Sequence, residues 1–351
     1  GEPGGEEPAE EAAAPPGPQL KQLQVSVAAW NLQGHTVGRA DMQALLPPGS
    51  DIYAIGTYSA NRSAPASIIF ASKAGFEKAA AKHLGSDYYL ARSHAYRSMH
   101  LMIFAHRDLR ESSVTAESGH VCTGAFSADL GATGFGGADG SVQVVLTVGA
   151  TSIAFVYVRL PKGPGTSTRN SHLMRVFETT PLKAKHWTAQ QFICMRNRVV
   201  LFGDLNYDVS MDRATIEEKV AAEEWESLVE FDQVSSLRAP LSQHLPGRLA
   251  PPCDPARMLF MCFDEAPLTF PPTYRALGTP RLPGWPTRVL WKKDAGVECV
   301  SYRAPLPAGC SASRHQPVLA ELWIPVVEGR PGAARPGQVG GSSSCAVCTV
   351  C

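Results

Sequence analysis

The sequence lacks a long uninterrupted hydrophobic run, which argues against a membrane-spanning segment. Its most apolar stretch, Val142 to Val158, is broken by polar residues and by glycine, and its many β-branched residues favour two strands joined at Gly149-Ala150. The nine cysteines have no regular spacing and no secretory signal is visible, so a disulfide framework is not expected. Together these features predict an intracellular, reducing environment, which we take to be the cytoplasm.

An excess of charge of one sign is also missing, since 32 basic residues balance 32 acidic ones. The balance is uneven along the chain. Residues 1–19 contain five glutamates and no lysine or arginine, which leaves residues 20–351 with 32 basic against 27 acidic side chains, a net charge of +5. This mild excess suits a pocket for anionic ligands and is too small to favour a protein that wraps nucleic acid.

Composition divides the chain into three parts. Residues 1–19 are mostly glycine, proline, alanine and glutamate, too poor in apolar side chains to fold, so an acidic disordered segment is predicted. Residues 20–327 contain strand and helix patterns throughout and no internal repeat, which indicates one α/β domain. Residues 328–351 are again rich in glycine, proline and serine and predict a flexible tail.

Hydrophobic periodicity predicts the secondary structure of the central domain. Strands are expected at residues 24–30, 51–57, 67–71, 99–105, 142–159 (as a hairpin), 199–202, 287–291 and 318–324. Helices are expected at residues 76–84, 171–192 and 215–229, with Thr215 as the N-cap of the last. Residues 239–286 are rich in proline and predict a long surface loop that shapes a pocket.

The most informative stretch is Arg198 to Asp208, where polar side chains follow a strand. Gly203 ends a run of β-branched and aromatic residues, so Asp204 and Asn206 lie at the carboxyl end of the strand, where α/β proteins collect their ligands. On an extended backbone, residues two apart point the same way. The pair would then supply a carboxylate that takes a proton from water and an amide that holds a phosphoryl oxygen. Gly-Asp by itself would fit a simple Asx turn equally well.

Seven segments, in order along the chain, resemble the motifs of the inositol polyphosphate 5-phosphatases, within the endonuclease/exonuclease/phosphatase superfamily. They are Trp30-Asn31, Asp51–Thr57, Arg169-Asn170, Gly203–Tyr207, Pro272–Arg275, Arg281 with Pro283 and Trp285–Trp291, and Ser313–Val318. Each segment alone is a weak signal, and their order makes the resemblance specific. It covers nearly all of residues 20–327 and implies an α/β fold of two mixed β-sheets packed face to face with helices on the outside.

The resemblance also implies roles for residues of this sequence. The catalytic centre of the family is matched by Asn31, Asp204, Asn206 and His315, with Asp204 as the base and with Asn31 and Asp204 as ligands of Mg²⁺. Tyr274, Arg275 and Arg281 match the residues that bind the 4-phosphate of an inositol ring in the family. Arg169 and Asn170 match a further substrate-binding motif. The implied partner is an inositol phosphate, or a phosphoinositide at a membrane surface.

Four positions depart from the family pattern, and all of them belong to its chemistry. The expected metal-binding Glu and Asp are here Ser59 and Arg314. The Asp that should orient the last histidine is Thr287, and another expected histidine is Arg159. Mg²⁺ prefers carboxylate oxygens, and a guanidinium repels it. The departures therefore predict a site that binds phosphate and hydrolyses it poorly or not at all.

These departures leave several interpretations open. Arg159 and Arg314 could supply the positive charge of the missing metal and grip phosphate. A site released from selection could equally have accumulated arginines without purpose. A carboxylate from elsewhere, such as Asp139 or Asp208, could restore an active Mg²⁺-dependent 5-phosphatase. A nuclease of the same superfamily is disfavoured by the near-neutral charge and by Pro272–Arg275.

The last residues carry a separate signal. Cys348-Thr-Val-Cys351 has the spacing of a prenylation box, and Cys345 lies three residues upstream as a second lipidation site. Some members of the family end in such a box, and two lipids would hold the domain peripherally at a membrane. A plain disordered tail, or metal binding by Cys-x-x-Cys-x-x-Cys, fits the same residues.

Overall fold

The computed structural model describes residues 20–60, 74–112, 114–124, 139–163, 165–239, 255–275, 278–305 and 313–328. Three predicted features lie outside these ranges: the acidic segment at residues 1–19, the strand at residues 67–71, and the lipidation sites at Cys345 and Cys348. Within them, no helix is both long enough and apolar enough to cross a membrane.

In the described ranges, strands form two six-stranded sheets. In chain order they are β1 (Leu20–Asn31), β2 (Ile52–Tyr58), β3 (Tyr88–Tyr96), β4 (Met99–His106), β5 (Thr115–Cys122), β6 (Gly140–Val148), β7 (Thr151–Arg159), β8 (Arg198–Asp204), β9 (Phe263–Asp264), β10 (Thr287–Lys292), β11 (Glu298–Arg303) and β12 (Val318–Val327). The first sheet has the order β11-β12-β1-β2-β4-β3 and the second β5-β6-β7-β8-β10-β9. The pairs β1–β2 and β7–β8 are parallel and pairs such as β1–β12 and β8–β10 are antiparallel, so both sheets are mixed.

Helices cover the outer faces of both sheets. They are α1 (Arg39–Leu45), α2 (Ala74–Leu84), α3 (Thr166–Glu178), α4 (Ala189–Met195), α5 (Arg213–Ala221), α6 (Trp225–Val229), α7 (Gln233–Arg238) and α8 (Pro255–Phe260). In the first sheet, α1 and α2 bury residues such as Met42 and Phe76 against the outer side. In the second sheet, α3 and α4 do the same with residues such as Phe177 and Phe192.

The inner faces of the two sheets form the main core. Alternate residues of β1, from Leu23 to Ala29, are fully buried and face residues such as Phe202 from the opposite sheet. Burial of each large aliphatic side chain contributes roughly 1.5–3 kcal/mol. On β2, Gly56 lies against the ring of Tyr157, and a Cβ at position 56 would be 2.1 Å from Tyr157 Cδ2. A side chain is therefore excluded where the two sheets approach each other at this point.

The strands predicted from sequence within the described residues are confirmed, and the four missed strands are the edges of the sheets. The hairpin around Gly149 is present as β6 and β7. The edge strands β3, β5, β9 and β11 were not predicted. The loop predicted at residues 239–286 also contains α8 and β9 in its described part.

Two predicted helices are corrected. The pattern at residues 171–192 belongs to two helices, α3 and α4, because the chain leaves the helix at Thr179. The pattern at residues 215–229 is likewise divided, since Glu223 adopts a positive φ of 58° between α5 and α6. The N-cap is Asp212 rather than Thr215, because the Asp212 side chain accepts a hydrogen bond from Thr215 N at 3.0 Å.

Candidate functional site

The candidate site lies where the two sheets end together. The parallel strands β1 and β2 of one sheet and β7 and β8 of the other place their carboxyl ends at the same edge of the sandwich. Asn31 Nδ2 donates to Asp204 Oδ2 at 2.7 Å, which joins the two sheets directly. The guanidinium of Arg159 lies 4.4 Å from the ring centroid of Tyr58, a second contact between the sheets. Side chains from four strands thus converge on one region.

Asp204 is fixed at the end of β8 by the glycine before it. Gly203 has a φ of 119°, and a Cβ there would lie 2.2 Å from Val158 O, so glycine is required. Asp204 is 1% exposed, and both of its carboxylate oxygens accept hydrogen bonds. Oδ2 accepts from Asn31, and Oδ1 accepts from Thr287 Oγ1 at 2.8 Å. The carboxylate is therefore already engaged by the protein on both oxygens.

The prediction for Asn206 was wrong in its geometry. β8 ends at Asp204 and Asn206 has a φ of 55°, so the two side chains do not follow the alternation of an extended strand. Asn206 Nδ2 donates to Leu160 O at 2.7 Å, and its Oδ1 accepts from Arg281 Nη1 at 2.8 Å. Asn206 therefore positions Arg281 and the loop after β7.

His315 is buried beside Asp204. Its backbone oxygen accepts from Trp30 Nε1 at 3.0 Å, and its backbone nitrogen donates to Ser313 Oγ at 3.1 Å. The imidazole ring meets the Tyr274 ring edge-on, with centroids 5.0 Å apart. Nδ1 is 3.9 Å from Asp204 Oδ1, and neither ring nitrogen has a hydrogen-bond partner among the described residues. No carboxylate in that part of the chain orients the ring through a hydrogen bond.

Burial determines the charges of this pair. Desolvation lowers the pKa of His315 to about 3. The carboxylate of Asp204 opposes this shift and the cations Lys162 and Arg281 add to it, so the ring is neutral near pH 7. Burial of Asp204 opposes its ionisation, but Lys162 and the hydrogen bond from Thr287 help to outweigh this effect and the pKa is lowered. The site therefore holds an ionised carboxylate next to a neutral imidazole.

We expect the protein to lose stability as the pH falls below about 6.5. The unfolded chain protonates His315 near its ordinary pKa of about 6.5, whereas the folded ring accepts the proton only near 3. Between these values the unfolded state binds more protons, so stability falls with decreasing pH. From pH 7.5 to 5.5, His315 accounts for about 1.4 kcal/mol of the free energy of unfolding. Urea unfolding at both pH values should show a smaller difference for His315→Gln than for the wild type; equal differences would contradict the assignment.

Four candidate residues of the site form two ion pairs. Arg159, which stands where the family pattern has a histidine, forms an ion pair with Asp139 in addition to its contact with Tyr58. Arg169 Nη2 lies 3.2 Å from Asp208 Oδ2. The two carboxylates that could have restored a metal site, Asp139 and Asp208, are therefore each paired with an arginine.

The helix α3 supports the site from behind. Arg169 is 2% exposed, and its Nη1 donates to Gly163 O at 2.9 Å while its Nη2 donates to Gln233 Oε1 at 3.0 Å. Asn170 Oδ1 accepts from Tyr207 OH at 2.6 Å. These bonds brace the loops after β7 and β8. Direct contact of Arg169 and Asn170 with a substrate stays a prediction.

Arg281 enters the site, whereas Arg275 and Arg314 are connected to it through the backbone. The Arg281 guanidinium lies 4.6 Å from the ring centroid of Tyr274. Arg275 N donates to Arg314 O at 2.8 Å, and Arg314 N donates to Gln33 Oε1 at 2.9 Å. Among the described residues, the guanidinium groups of Arg275 and Arg314 make no hydrogen bond or ion pair, and Arg314 is exposed. Their predicted contacts with phosphate stay predictions.

Lys162 is a candidate that sequence reasoning missed. It lies in the loop between β7 and α3, and its electrostatic neighbours include Asp204, Arg159 and Arg281. The residue is exposed, yet protein atoms around the ammonium desolvate it and lower its pKa to about 8. The available signal was a lysine next to Gly163 in the turn from a strand to a helix, a frequent place for phosphate binding.

The donor set of the site does not fit Mg²⁺. In proteins Mg²⁺ keeps several of its waters and is usually held by one or two available carboxylates together with phosphate oxygens of the substrate. Here the two oxygens of Asp204 already accept hydrogen bonds, and Ser59 offers a buried hydroxyl where the family pattern has Glu. The described residues contain no group of three or more His, Cys, Asp or Glu side chains that could hold a metal ion. Lys162 adds positive charge close to Asp204.

Comparison with known proteins agrees with this fold. The family model described as Endonuclease/Exonuclease/phosphatase family 2 matches residues 28–244. A phosphatidylinositol 3,4,5-trisphosphate 5-phosphatase 2B from Danio rerio is 28% identical over 221 residues, which cover 56% of this chain and 16% of that protein. An inositol-1,4,5-trisphosphate 5-phosphatase 1 from Schizosaccharomyces pombe is 27% identical over 295 residues, which cover 78% of this chain and 25% of that protein. The chain thus spans a quarter or less of the length of these relatives.

A solved structure shows the same architecture. The inositol polyphosphate 5-phosphatase domain of SPsynaptojanin, in complex with inositol (1,4)-bisphosphate and a calcium ion, aligns with a TM-score of 0.66 and 23% identity, covering 89% of this chain and 87% of that chain. This likeness confirms the predicted pair of mixed sheets packed face to face, although a fold alone does not establish chemistry. Because the family model spans more than half of the sequence, the chain belongs to the endonuclease/exonuclease/phosphatase family, and its domain is like those of the inositol polyphosphate 5-phosphatases.

Proposed function

We propose that this domain recognises the phosphorylated ring of inositol polyphosphates or phosphoinositide headgroups, and that it hydrolyses the 5-phosphate slowly or not at all. Relatives from two organisms are named for inositol trisphosphate or its lipid form, and the solved structure with the same fold contains inositol (1,4)-bisphosphate. The cations of this site, Lys162 and Arg281, suit such an anionic ligand.

The observation that supports impaired hydrolysis is the state of Asp204. Cleavage of a phosphate ester depends on neutralising the transferring group and on orienting a water for attack. Asp204 is 1% exposed, and hydrogen bonds from Asn31 and Thr287 occupy its two oxygens, so it is poorly placed to orient water. His315 is neutral and has no hydrogen-bonded carboxylate among the described residues. The proposal therefore requires no Mg²⁺; an active enzyme would require it.

The same proposal assigns the domain to the cytoplasm, at the periphery of a membrane. Phosphoinositide headgroups are displayed at a membrane surface, and lipids on Cys345 and Cys348 would keep the domain close to it. Nucleic acid is not a proposed partner, because residues 20–351 carry a net charge of only +5.

With Mg²⁺ and inositol 1,4,5-trisphosphate, we expect the protein to bind the ligand without releasing phosphate. Arg281→Ala should weaken binding by about tenfold or more, because it removes a guanidinium that Asn206 holds in the site. Calorimetry measures the affinity, and a phosphate assay measures turnover. Arg107→Ala is the matched control, since Arg107 is exposed and follows β4 at the edge of the sheet opposite to the site.

Two outcomes would contradict this proposal. Magnesium-dependent phosphate release that Asp204→Ala abolishes would show an active 5-phosphatase and refute impaired hydrolysis. Absence of binding to both soluble inositol 1,4,5-trisphosphate and vesicles containing phosphatidylinositol 3,4,5-trisphosphate would refute headgroup recognition.

A further inference from the structure

Two cations of the site are not neutralised by a carboxylate of their own. Arg281 Nη1 donates to the uncharged amide of Asn206, and its guanidinium rests on the ring of Tyr274. The ammonium of Lys162 has no hydrogen bond or ion pair with any residue that the structure describes. Asp204 is near both cations, but its oxygens accept hydrogen bonds from other groups. Arg281 and Lys162 are therefore available to bind an anion.

The other charged groups nearby are paired with each other. Asp139 forms its ion pair with Arg159. Asp208, which also influences Arg281, lies 3.2 Å from Arg169. These pairs leave the carboxylates engaged, so neither of them competes with a ligand for Lys162.

The loop that carries Lys162 is anchored on both sides. Before it, Leu160 N donates to Asp204 O at 2.9 Å, and Leu160 O accepts from Asn206 Nδ2 at 2.7 Å. After it, Gly163 O accepts from Arg169 Nη1 at 2.9 Å. The bond from Asn206 ties the backbone before Lys162 to the residue that positions Arg281. A lysine on an anchored loop loses less entropy on binding than one on a free loop.

On the basis of the proposed function, we propose that Lys162 and Arg281 bind a phosphate group of the inositol ligand directly and without a divalent ion. Together the two side chains carry two positive charges, and with the ionised Asp204 nearby the three groups keep a net charge of +1 for an anionic ligand. They would also repel a divalent cation at short range, because charges of the same sign a few ångströms apart repel even at the effective dielectric constant of a protein surface. Binding is then a property of the metal-free protein.

The test is calorimetric titration of the full chain with inositol 1,4,5-trisphosphate in EDTA and in Mg²⁺. We expect dissociation constants that agree within about twofold in the two buffers, and a loss of about tenfold for Lys162→Met in both. Lys293→Met is the matched control, because Lys293 is exposed and follows β10 at the end opposite to the site. Its affinity should equal that of the wild type.

The outcomes separate this proposal from the proposed function. Binding that is lost in EDTA and restored by Mg²⁺ overturns the metal-free mode and leaves headgroup recognition standing. Equal losses for Lys162→Met and Lys293→Met overturn the role of Lys162, since the effect would then be one of net charge. Absence of binding in both buffers, to soluble inositol 1,4,5-trisphosphate and to vesicles containing phosphatidylinositol 3,4,5-trisphosphate alike, overturns the proposed function itself.

A sedimentation experiment with vesicles tests whether a lipid headgroup uses the same site as the soluble inositol phosphate. Phosphatidylcholine vesicles with and without phosphatidylinositol 3,4,5-trisphosphate are sedimented with the protein in EDTA. If the protein sediments with the phosphoinositide vesicles and soluble inositol 1,4,5-trisphosphate displaces it, the lipid headgroup uses the same site. Sedimentation that Lys162→Met does not weaken would place the lipid elsewhere and overturn the proposal for the lipid.

Discussion

Replacement of Asp204 by asparagine is expected to tighten the binding of inositol 1,4,5-trisphosphate by about thirtyfold. Asp204 is a buried, ionised carboxylate in a site that we propose to bind phosphate without a metal. A carboxylate about 7 Å from a phosphate group opposes it by roughly 2 kcal/mol at an effective dielectric constant of about 20. Asparagine has the same shape and can still accept one of the two existing hydrogen bonds, from Asn31 or Thr287.

The direction of this change in affinity distinguishes metal-free binding from metal-dependent binding. If the ligand depended on a metal at Asp204, the same substitution would remove a charged ligand of the ion and weaken binding. Calorimetry in EDTA and in Mg²⁺ measures the change. Asp294→Asn is the control, because Asp294 is exposed at the end of the sheet opposite to the site and the variant has the same net charge. Weaker binding by Asp204→Asn would refute metal-free recognition.

The largest effect on stability is expected for Arg288→Met, which should lower the free energy of unfolding by about 3–5 kcal/mol. Arg288 is fully buried on β10. Its Nε and Nη2 donate to the two oxygens of Glu265 at 2.6 and 2.7 Å, and its Nη1 donates to Asp232 Oδ2 at 2.9 Å. Methionine has a similar apolar length but removes the charge that balances two buried carboxylates.

Urea unfolding at neutral pH measures this loss. The control is the combined variant Arg288→Met, Glu265→Gln and Asp232→Asn, in which no buried carboxylate lacks its cation; it should recover part of the lost stability. Asp232 also caps α7 by accepting from Ser235 N at 2.8 Å, and asparagine keeps this capping ability. A loss below about 1 kcal/mol for Arg288→Met would show that the ion pairs contribute no more than exposed ones do.

The central strands could be predicted from the sequence, and the edge strands could not. Residues of β8 such as Val200 and Phe202 are buried, so the strand reads as an apolar run that Gly203 ends. The edge strands β3 (Tyr88–Tyr96) and β11 (Glu298–Arg303) are partly exposed along most of their length. Edge strands expose one side and carry polar residues that limit association, so their hydrophobic pattern is weak.

For the site, sequence order identified the residues but not their partners. Asn31, Asp204, Arg281 and His315 come together as the motif order implied. The ion pair of Arg159 with Asp139 could not be predicted from the sequence, because ion pairs depend on side-chain positions across the fold. The direction of Asn206 was mispredicted, because its positive φ follows from contacts with residues distant in sequence.

The contact between Gly56 and Tyr157 sets the distance between the two sheets, and with it the width of the site, although neither residue is one of the proposed phosphate-binding residues. The bond between Asn31 and Asp204 spans the two sheets, so it exists only at the spacing that the bare main chain at position 56 permits. Even a methyl group at position 56 would push the two sheets apart beneath the residues of the site. A larger or smaller headgroup would therefore fit only if the interior between the sheets were repacked. Substitutions at Lys162 or Arg281 would change the affinity for phosphate and leave the width of the site unchanged.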